Sequence, residues 1–428
     1  MFIKNIKVSN FKSFEEINVD LGKFNVLIGA NASGKSNFIS IFRFLKDIVD
    51  SGLDNAISIQ GGTDFIRNIN LGASQDLSIE LCIDSKDEPI YPLFERKEKK
   101  IIGISPRKFL YRFSIKFHKK GKGYKVAEET LAVDFEFVGL EEEKGKMESE
   151  PMERGRIIFL NEKGRIRYKL EKDIPEVLKE TIISSSLSKF FKRKSSNRLF
   201  LEAELPLFLL PIDTRLKDFL RNTSIYDFDP KFSKLATRIT GKTELEPDGS
   251  NLAIILKKIL ENKQDTEKFT DIIKGVLPFI ENVIVEKMAD KSLIASLRET
   301  YSKKKFLPAF LISDGTINIT ALIIALYFEE KPLVIIEEPE RNIHPYLISK
   351  VIDMMKDISE EIKEKQIIIT THNPEVVKYA DLDHLLLIYR DEHGFSQISR
   401  PSEKGEVKTF LENDIGVEEL YVQNLLEW

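Results

Sequence analysis

The chain has 428 residues, 65 Lys and Arg against 69 Asp and Glu, 42% hydrophobic residues and one cysteine. At roughly 150 residues per domain it holds about three structural units, and apolar runs such as Leu382 to Ile388 fall well short of the roughly 18 to 20 residues of a membrane span. The lone Cys82 excludes a disulfide scaffold or a cysteine-held zinc, and a formal net charge of −4 excludes a global pull toward nucleic acid, so only local patches are left for that role. These figures describe a charge-dense globular protein of cytoplasmic type.

The chain separates by pattern into residues 1–119, 120–305 and 306–428. The opening MFIKNIKVSNF alternates polar and apolar residues, so it reads as a strand and not as a signal peptide. EEINVDL and FNVLIG are further short strands, and Phe38, Ile39, Ile41, Phe42, Leu45 and Ile48 recur at helical spacing over Lys35 to Val49. DLSIELCID and FLYRFSIKFH continue the strand pattern.

Between FNVLI and that helix lies Gly29-Ala30-Asn31-Ala32-Ser33-Gly34-Lys35-Ser36, which fits G-x-x-x-x-G-K-[ST]. The strand and helix flanks are what the chemistry needs. Glycines let successive backbone N–H groups turn inward on phosphate oxygens, Lys35 reaches the β- and γ-phosphates, and Ser36 supplies a hydroxyl to magnesium. The helix N-terminus adds its partial positive charge.

The middle region opens on charge-dense text near Glu141 to Arg156, then RIIFLNEKGRIRYKL reads as a hairpin turning at Glu162-Lys163-Gly164. Amphipathic helices are expected over Asn251 to Asn262 and Phe269 to Val276. Lys189-Phe190-Phe191-Lys192-Arg193-Lys194, with Arg198, mixes bases and aromatics; it reads either as a solvated helix face or as a patch for phosphate backbone and stacked bases.

In the last region helices alternate with buried strands: Thr316 to Glu330 before LVIIEE, His344 to Glu364 before QIIITTH, and Pro374 to Tyr379 before HLLLIYRD. Alternation of this kind indicates an α/β sheet covered by helices. LVII ends in Glu337 and Glu338, where open α/β sheets bind ligands. Glu337 is placed to hold magnesium, directly or through water, and Glu338 to orient and polarise an attacking water. His372, at the end of the next strand, suits a hydrogen bond to a γ-phosphate or to the water path; alone it would more often be a structural histidine, but its place one strand after the acidic pair favours the functional reading. Ser313 or Asp314 caps the helix before the acidic strand. His344, before Pro345, reads as a structural helix-start residue.

Taken in order, NFKSFEE, GANASGKSN, LEPDGSNLA, LISDGTIN, VIIEEPERNIHP and TTHNPE resemble the ABC-type ATPases of the SMC and RecF kind. Within them the text is closest to the small soluble ATPases related to the OLD-family ATPase domain. The resemblance implies an α/β P-loop NTPase of ABC/SMC-head type, with a mixed-sheet lobe over 1–119, a largely helical insert opened by a hairpin over 120–305, and a parallel α/β lobe over 306–428. It implies ATP and Mg2+ as cofactors, with the phosphate loop through Asn37 holding the nucleotide, Glu337 as the magnesium-side acid, Glu338 as the catalytic acid and His372 as the switch histidine. Ser313 and Gly315 would meet the γ-phosphate held by a second copy, so that two ATP molecules are sandwiched in a head-to-tail homodimer. Lys12 and Ser13 would lie near the nucleotide, and Gln60 is the nearest match to the glutamine such proteins place beside the γ-phosphate and metal. Two residues depart from the pattern: Glu337 stands at a position more often Asp, and Asp314 at a signature position more often Gly.

An OLD-type nuclease carries a metal-binding domain after the histidine segment, whereas DLDHLLLIYRDE reads as the last strand of the ATPase sheet, with Asp381 and Asp383 as turn acids. The expectation is therefore an ATPase without its own nuclease centre. It would couple ATP hydrolysis to DNA-related work, in genome maintenance or defence against foreign DNA, through the basic patch of the insert. The alternative is a slowly hydrolysing, ATP-loaded scaffold that regulates a separately encoded effector such as a nuclease or toxin.

Overall fold

The computed structural model describes residues 1–85, 91–97, 100–119, 123–143, 146–162, 164–171, 198–202, 210–239, 241–302, 304–360, 365–405, 407, 416–423 and 425. The basic run Lys189 to Lys194 lies outside them. The chain forms two discontinuous units. The first takes Met1–Gly22, Ser36–Asn222 and Arg390–Ile398, and the second takes Lys23–Lys35, Thr223–Tyr389 and Ser399–Trp428. The 120–305 range is therefore shared between both.

The first unit is built on alternation. Strands β1 (Phe2–Phe11), β2 (Phe14–Asp20), β4 (Leu77–Asp84), β6 (Lys100–Phe117), β7 (Tyr124–Glu143), β8 (Lys146–Glu162) and β9 (Arg165–Glu171) pair antiparallel in the order β2-β1-β4-β6-β7-β8-β9, and β5 (Tyr91–Lys97) pairs with β6. In β4 every second residue is buried, namely Leu77, Ile79, Leu81 and Ile83, as a sheet with one packed face requires. Helix α1 (Lys35–Ser51) buries Phe38, Ile41, Phe42, Leu45 and Ile48, and its Phe44 ring lies 5.9 Å from Phe11 and 6.5 Å from Phe113. A fully buried aromatic or branched side chain contributes about 1.5–3 kcal/mol, so this stripe fixes the helix on the sheet.

The charge-dense text near Glu141 lies in long strands, and the expected hairpin is β8–β9, where Glu162 pairs with Arg165 across Gly164 at φ 81°. Both belong to the large sheet. Leu131, Val133, Phe135 and Phe137 are buried on one side of β7, and that alternation outweighs the charge of the intervening positions.

The second unit is built on continuity. Strands β10 (Ser224–Tyr226), β14 (Leu333–Glu337), β15 (Gln366–Thr371), β3 (Phe24–Ile28) and β16 (Leu385–Arg390) pair parallel in that spatial order. All of β3 and β15 is buried, because helices cover both faces of a parallel sheet. Helix α5 (Asp314–Tyr327) leads into β14, α6 (Pro345–Glu360) joins β14 to β15, and α7 (Pro374–Tyr379) joins β15 to β16. Residues Thr316 to Leu326 of α5 are all buried, which explains why this helix shows no polar stripe. After helix α2 (Leu210–Arg221) of the first unit, helices α3 (Leu252–Glu261) and α4 (Lys263–Val276) of the second precede a small antiparallel sheet of β11 (Ile280–Lys287), β12 (Leu293–Glu299) and β13 (Leu307–Pro308).

Candidate nucleotide site

Register places the second unit's motifs at one end of its sheet. Thr371 pairs with Ile28 and Glu337 with Thr370, so the chain leaves β3, β15 and β14 at neighbouring carboxyl ends. After β3 the loop turns through Ala32 at φ 65° and Gly34 at φ 121°. Gly29 is needed for a different reason: a Cβ there would run into the backbone oxygen of Ile388 on β16. The chain passes from the second unit to the first between Lys35 and Ser36.

Lys35 Nζ donates to the carbonyls of Gly29 (2.6 Å) and Ala30 (2.9 Å), so the ammonium rests on its own loop. Burial lowers its pKa, opposed by the charges of Glu338 and Glu340. A cation half-withdrawn from water on a loop that leads into the N-terminus of α1 is suited to bind a polyphosphate, which would replace those carbonyls.

Glu337 closes β14, and Glu338 leaves the strand in the left-handed region at φ 46°. The two acids thus differ through this turn as well as through strand alternation. The Glu338 amide donates to Thr370 O (2.9 Å). Its Oε1 lies 2.8 Å from Nδ1 of His372, and its Oε2 accepts from Arg341 Nη2 at 3.2 Å. Glu338 and His372, chosen from separate strands of sequence, therefore touch. A left-handed non-glycine residue is a sign of a functional constraint.

Sequence reasoning missed three groups around this pair. Glu340 is buried, its carboxyl is pushed up by burial and drawn back by the Thr371 hydroxyl, and that hydroxyl also accepts from the Asn373 amide at 2.9 Å. This chain of bonds holds the turn that carries His372. Arg341 spans Glu338 and Asp227; burial opposes its charge, but Asp227 and Glu338 outweigh burial and raise its pKa. Glu340 and Arg341 lie inside the VIIEEPERNIHP text but nothing there names their partners, and nothing in the sequence points to Asp227.

Ser313 is the N-cap of α5, accepting from the Thr316 amide at 3.2 Å, and Asp314 pairs with Lys234. Gly315 packs against the turn after Glu338: a Cβ there would lie 2.5 Å from Asn342 O. Lys12, Ser13, Asn37 and Gln60 are in the first unit, where they line one cavity of about 450 Å³. Lys12 has φ 48° and a pKa lowered by burial and by Arg43. The Ser13 hydroxyl is held by Asn37 Nδ2 and Ser396 Oγ, both at 2.8 Å, and Gln60 bonds to Asp47. His344 Nδ1 accepts from the Tyr346 amide at the start of α6, and Asp381 pairs with Lys356.

The family described as "AAA domain, putative AbiEii toxin, Type IV TA system" matches residues 24–378, which include the phosphate loop, Glu338 and His372. The chain belongs to this family. Endonuclease GajA of Bacillus cereus (strain VD045) is 45% identical over 47 residues, which is 11% of this chain and 8% of that protein, so the chain matches a small part of that relative's length. Among solved structures, the Smc head bound to the C-winged helix domain of ScpA is similar over 93% of this chain and 98% of its own, at 15% identity and a TM-score of 0.50. The SMC head domain from Thermotoga maritima is similar over 94% and 99%, at 15% identity and a TM-score of 0.41. The fold is that of an SMC head domain.

Two oxygen donors in this AAA domain are of the chemical kind that magnesium takes. Mg2+ takes oxygen ligands and keeps most of its shell for water and phosphate. Ser36 offers a hydroxyl at the first turn of α1 and Glu337 a carboxylate at the end of β14, while among the described residues no group of three or more His, Cys, Asp or Glu is placed to form a metal cage. No helix among the described residues is long and apolar enough to cross a membrane.

Proposed function

We propose that this chain binds ATP with magnesium on the phosphate loop and hydrolyses it, with Glu338 as the group that activates water. The observation that carries this reading is the cluster of Lys35, Glu338 and His372 at adjacent carboxyl ends of β3, β14 and β15. Lys35 and the amides of residues 29–36 would bind the β- and γ-phosphates, and Ser36 and Glu337 would hold magnesium, whose bound charge would offset that of the transferred phosphoryl group. His372 orients the Glu338 carboxylate and the water it faces.

The solvent-accessible Ser313 at the start of α5 supports a head-to-tail homodimer, in which Ser313 and Gly315 meet the γ-phosphate held by the second copy. Turnover would then drive closing and opening of the pair in DNA-related work, including defence, in the cytoplasm. The local likeness to an endonuclease is in keeping with that role. A second reading is favoured by the toxin and TA-system wording of the family description: a slowly turning, ATP-loaded scaffold that controls a separately encoded effector. DNA-stimulated turnover separates the first from the second. The binding step is tested by calorimetry with ATP and magnesium: Lys35→Ala loses nucleotide affinity, and an unchanged affinity refutes the assignment of the loop.

A further inference from the structure

Glu338 sits at φ 46°, a conformation that costs a non-glycine residue roughly 1–2 kcal/mol, so neighbours must hold it there. Its two carboxylate oxygens are held by different partners. Oε1 faces His372 Nδ1 at 2.8 Å, and Oε2 accepts from Nη2 of Arg341 at 3.2 Å. The other end of the same guanidinium donates from Nη1 to Asp227 Oδ1 at 2.8 Å and to the carbonyl of Phe228 at 3.3 Å. The planar fork therefore bridges the acid to the segment that follows β10.

The backbone of Arg341 is engaged as well. Its amide donates to Glu338 O at 3.0 Å, closing the turn, and its carbonyl accepts from Asn318 Nδ2 on α5 at 2.6 Å. Asn318 is buried, one helical turn after Gly315, and Gly315 itself faces the carbonyl of Asn342. One residue thus contacts the candidate catalytic carboxylate with its side chain and the helix capped by Ser313 with its main chain.

We propose that Arg341 is a positioning residue, which sets the direction of the Glu338 carboxylate and ties it mechanically to the start of α5. The inference rests on the ATPase reading above. Partly exposed ion pairs contribute about 0–1 kcal/mol to stability, and the Arg341, Glu338 and Asp227 side chains are 37%, 27% and 53% exposed. Stability is therefore not what this bridge chiefly supplies. Lysine replaces it only in part, because an ammonium is a point charge without the fork that spans two acceptors.

The test is steady-state ATP hydrolysis by the full chain. Misplacing a catalytic group by about 1 Å costs on the order of 10²-fold, so Arg341→Ala lowers kcat by that order while KM for ATP stays within twofold. Added guanidinium ion restores part of kcat, and Arg341→Lys falls between the two. Asp227→Asn, which keeps the arginine but frees one end of it, gives a smaller loss in kcat and serves if the alanine variant does not fold. An unchanged kcat in both Arg341→Ala and Asp227→Asn, or a loss that guanidinium does not restore and that follows unfolding, overturns the proposal. If Glu338→Gln hydrolyses ATP normally, the ATPase reading itself fails; if Glu338→Gln is inactive and the Arg341 variants are not, only this inference fails.

Discussion

The two sheets handle polar groups in opposite ways. In the antiparallel sheet of the first unit, the one deeply buried acid described, Glu129, is enclosed in a finished network: it accepts from Tyr111 Oη at 2.7 Å, from the Phe200 amide at 2.5 Å and from Asn161 Nδ2 at 3.3 Å. In the parallel sheet of the second unit the strands are mostly apolar and carry no acid inside them, and the acids appear only where a strand ends, on a turn at positive φ beside a lysine. A buried polar group with all its partners makes structure, whereas one held at a strand end with room for a ligand makes a site.

The contrast can be broken from either side, and the largest effect is expected at Gly315. Overpacking a filled interior costs typically 1–3 kcal/mol, and a methyl at this position meets the Asn342 carbonyl. Gly315→Ala therefore lowers the unfolding temperature of the second unit and slows ATP turnover; both unchanged would show that the approach of α5 to the turn is dispensable.

A medium effect is expected from pH at Glu129. Burial, partly offset by Tyr111, Phe200 and Asn161, raises its carboxyl from an ordinary 4.5 to about 8, and Glu202, itself raised by burial, faces the same cluster. The folded state then keeps a proton that the unfolded chain gives up. The stabilisation by the neutral acid is complete below about 4.5 and is lost as pH rises through about 8. Protection of the amides at residues 198–202, taken relative to the intrinsic base-catalysed exchange rate, should therefore weaken between pH 6 and pH 9, and Glu129→Gln should flatten that dependence. A wild-type profile with no step would contradict the assignment.

The smallest effect is expected at the exposed pair Lys263 and Glu267 on α4, 3.9 Å apart. Such pairs are worth about 0.3–0.5 kcal/mol, so Lys263→Ala should leave thermal unfolding and turnover nearly unchanged. A large loss would mean that this face carries a role that neither sheet explains.

Most of the second unit was legible in the sequence because its code is local. Continuous apolar strands and Gly29 to Ser36 announce themselves over a few residues, and α7 occurs over Pro374–Tyr379 as its sequence suggests, with Asn373 Oδ1 capping the Glu375 amide. The site's supporting residues were not legible, because they meet only through the fold. Asp227 reaches Arg341 across 114 positions, and Glu340 reaches Thr371 across 31. The first unit was legible as strands but not as one sheet, because charged residues between the buried positions of β7 and β8 masked a regular alternation.

The central claim is that Glu338 activates water against a nucleotide held by Lys35. Single-turnover hydrolysis by Glu338→Gln tests it most directly, with ATP binding measured on the same protein. Loss of a positioned general base costs about 10²- to 10⁴-fold, so this variant should bind ATP and magnesium with near wild-type affinity and hydrolyse it slower by that factor. Wild-type turnover in Glu338→Gln, with ATP bound, would contradict the account.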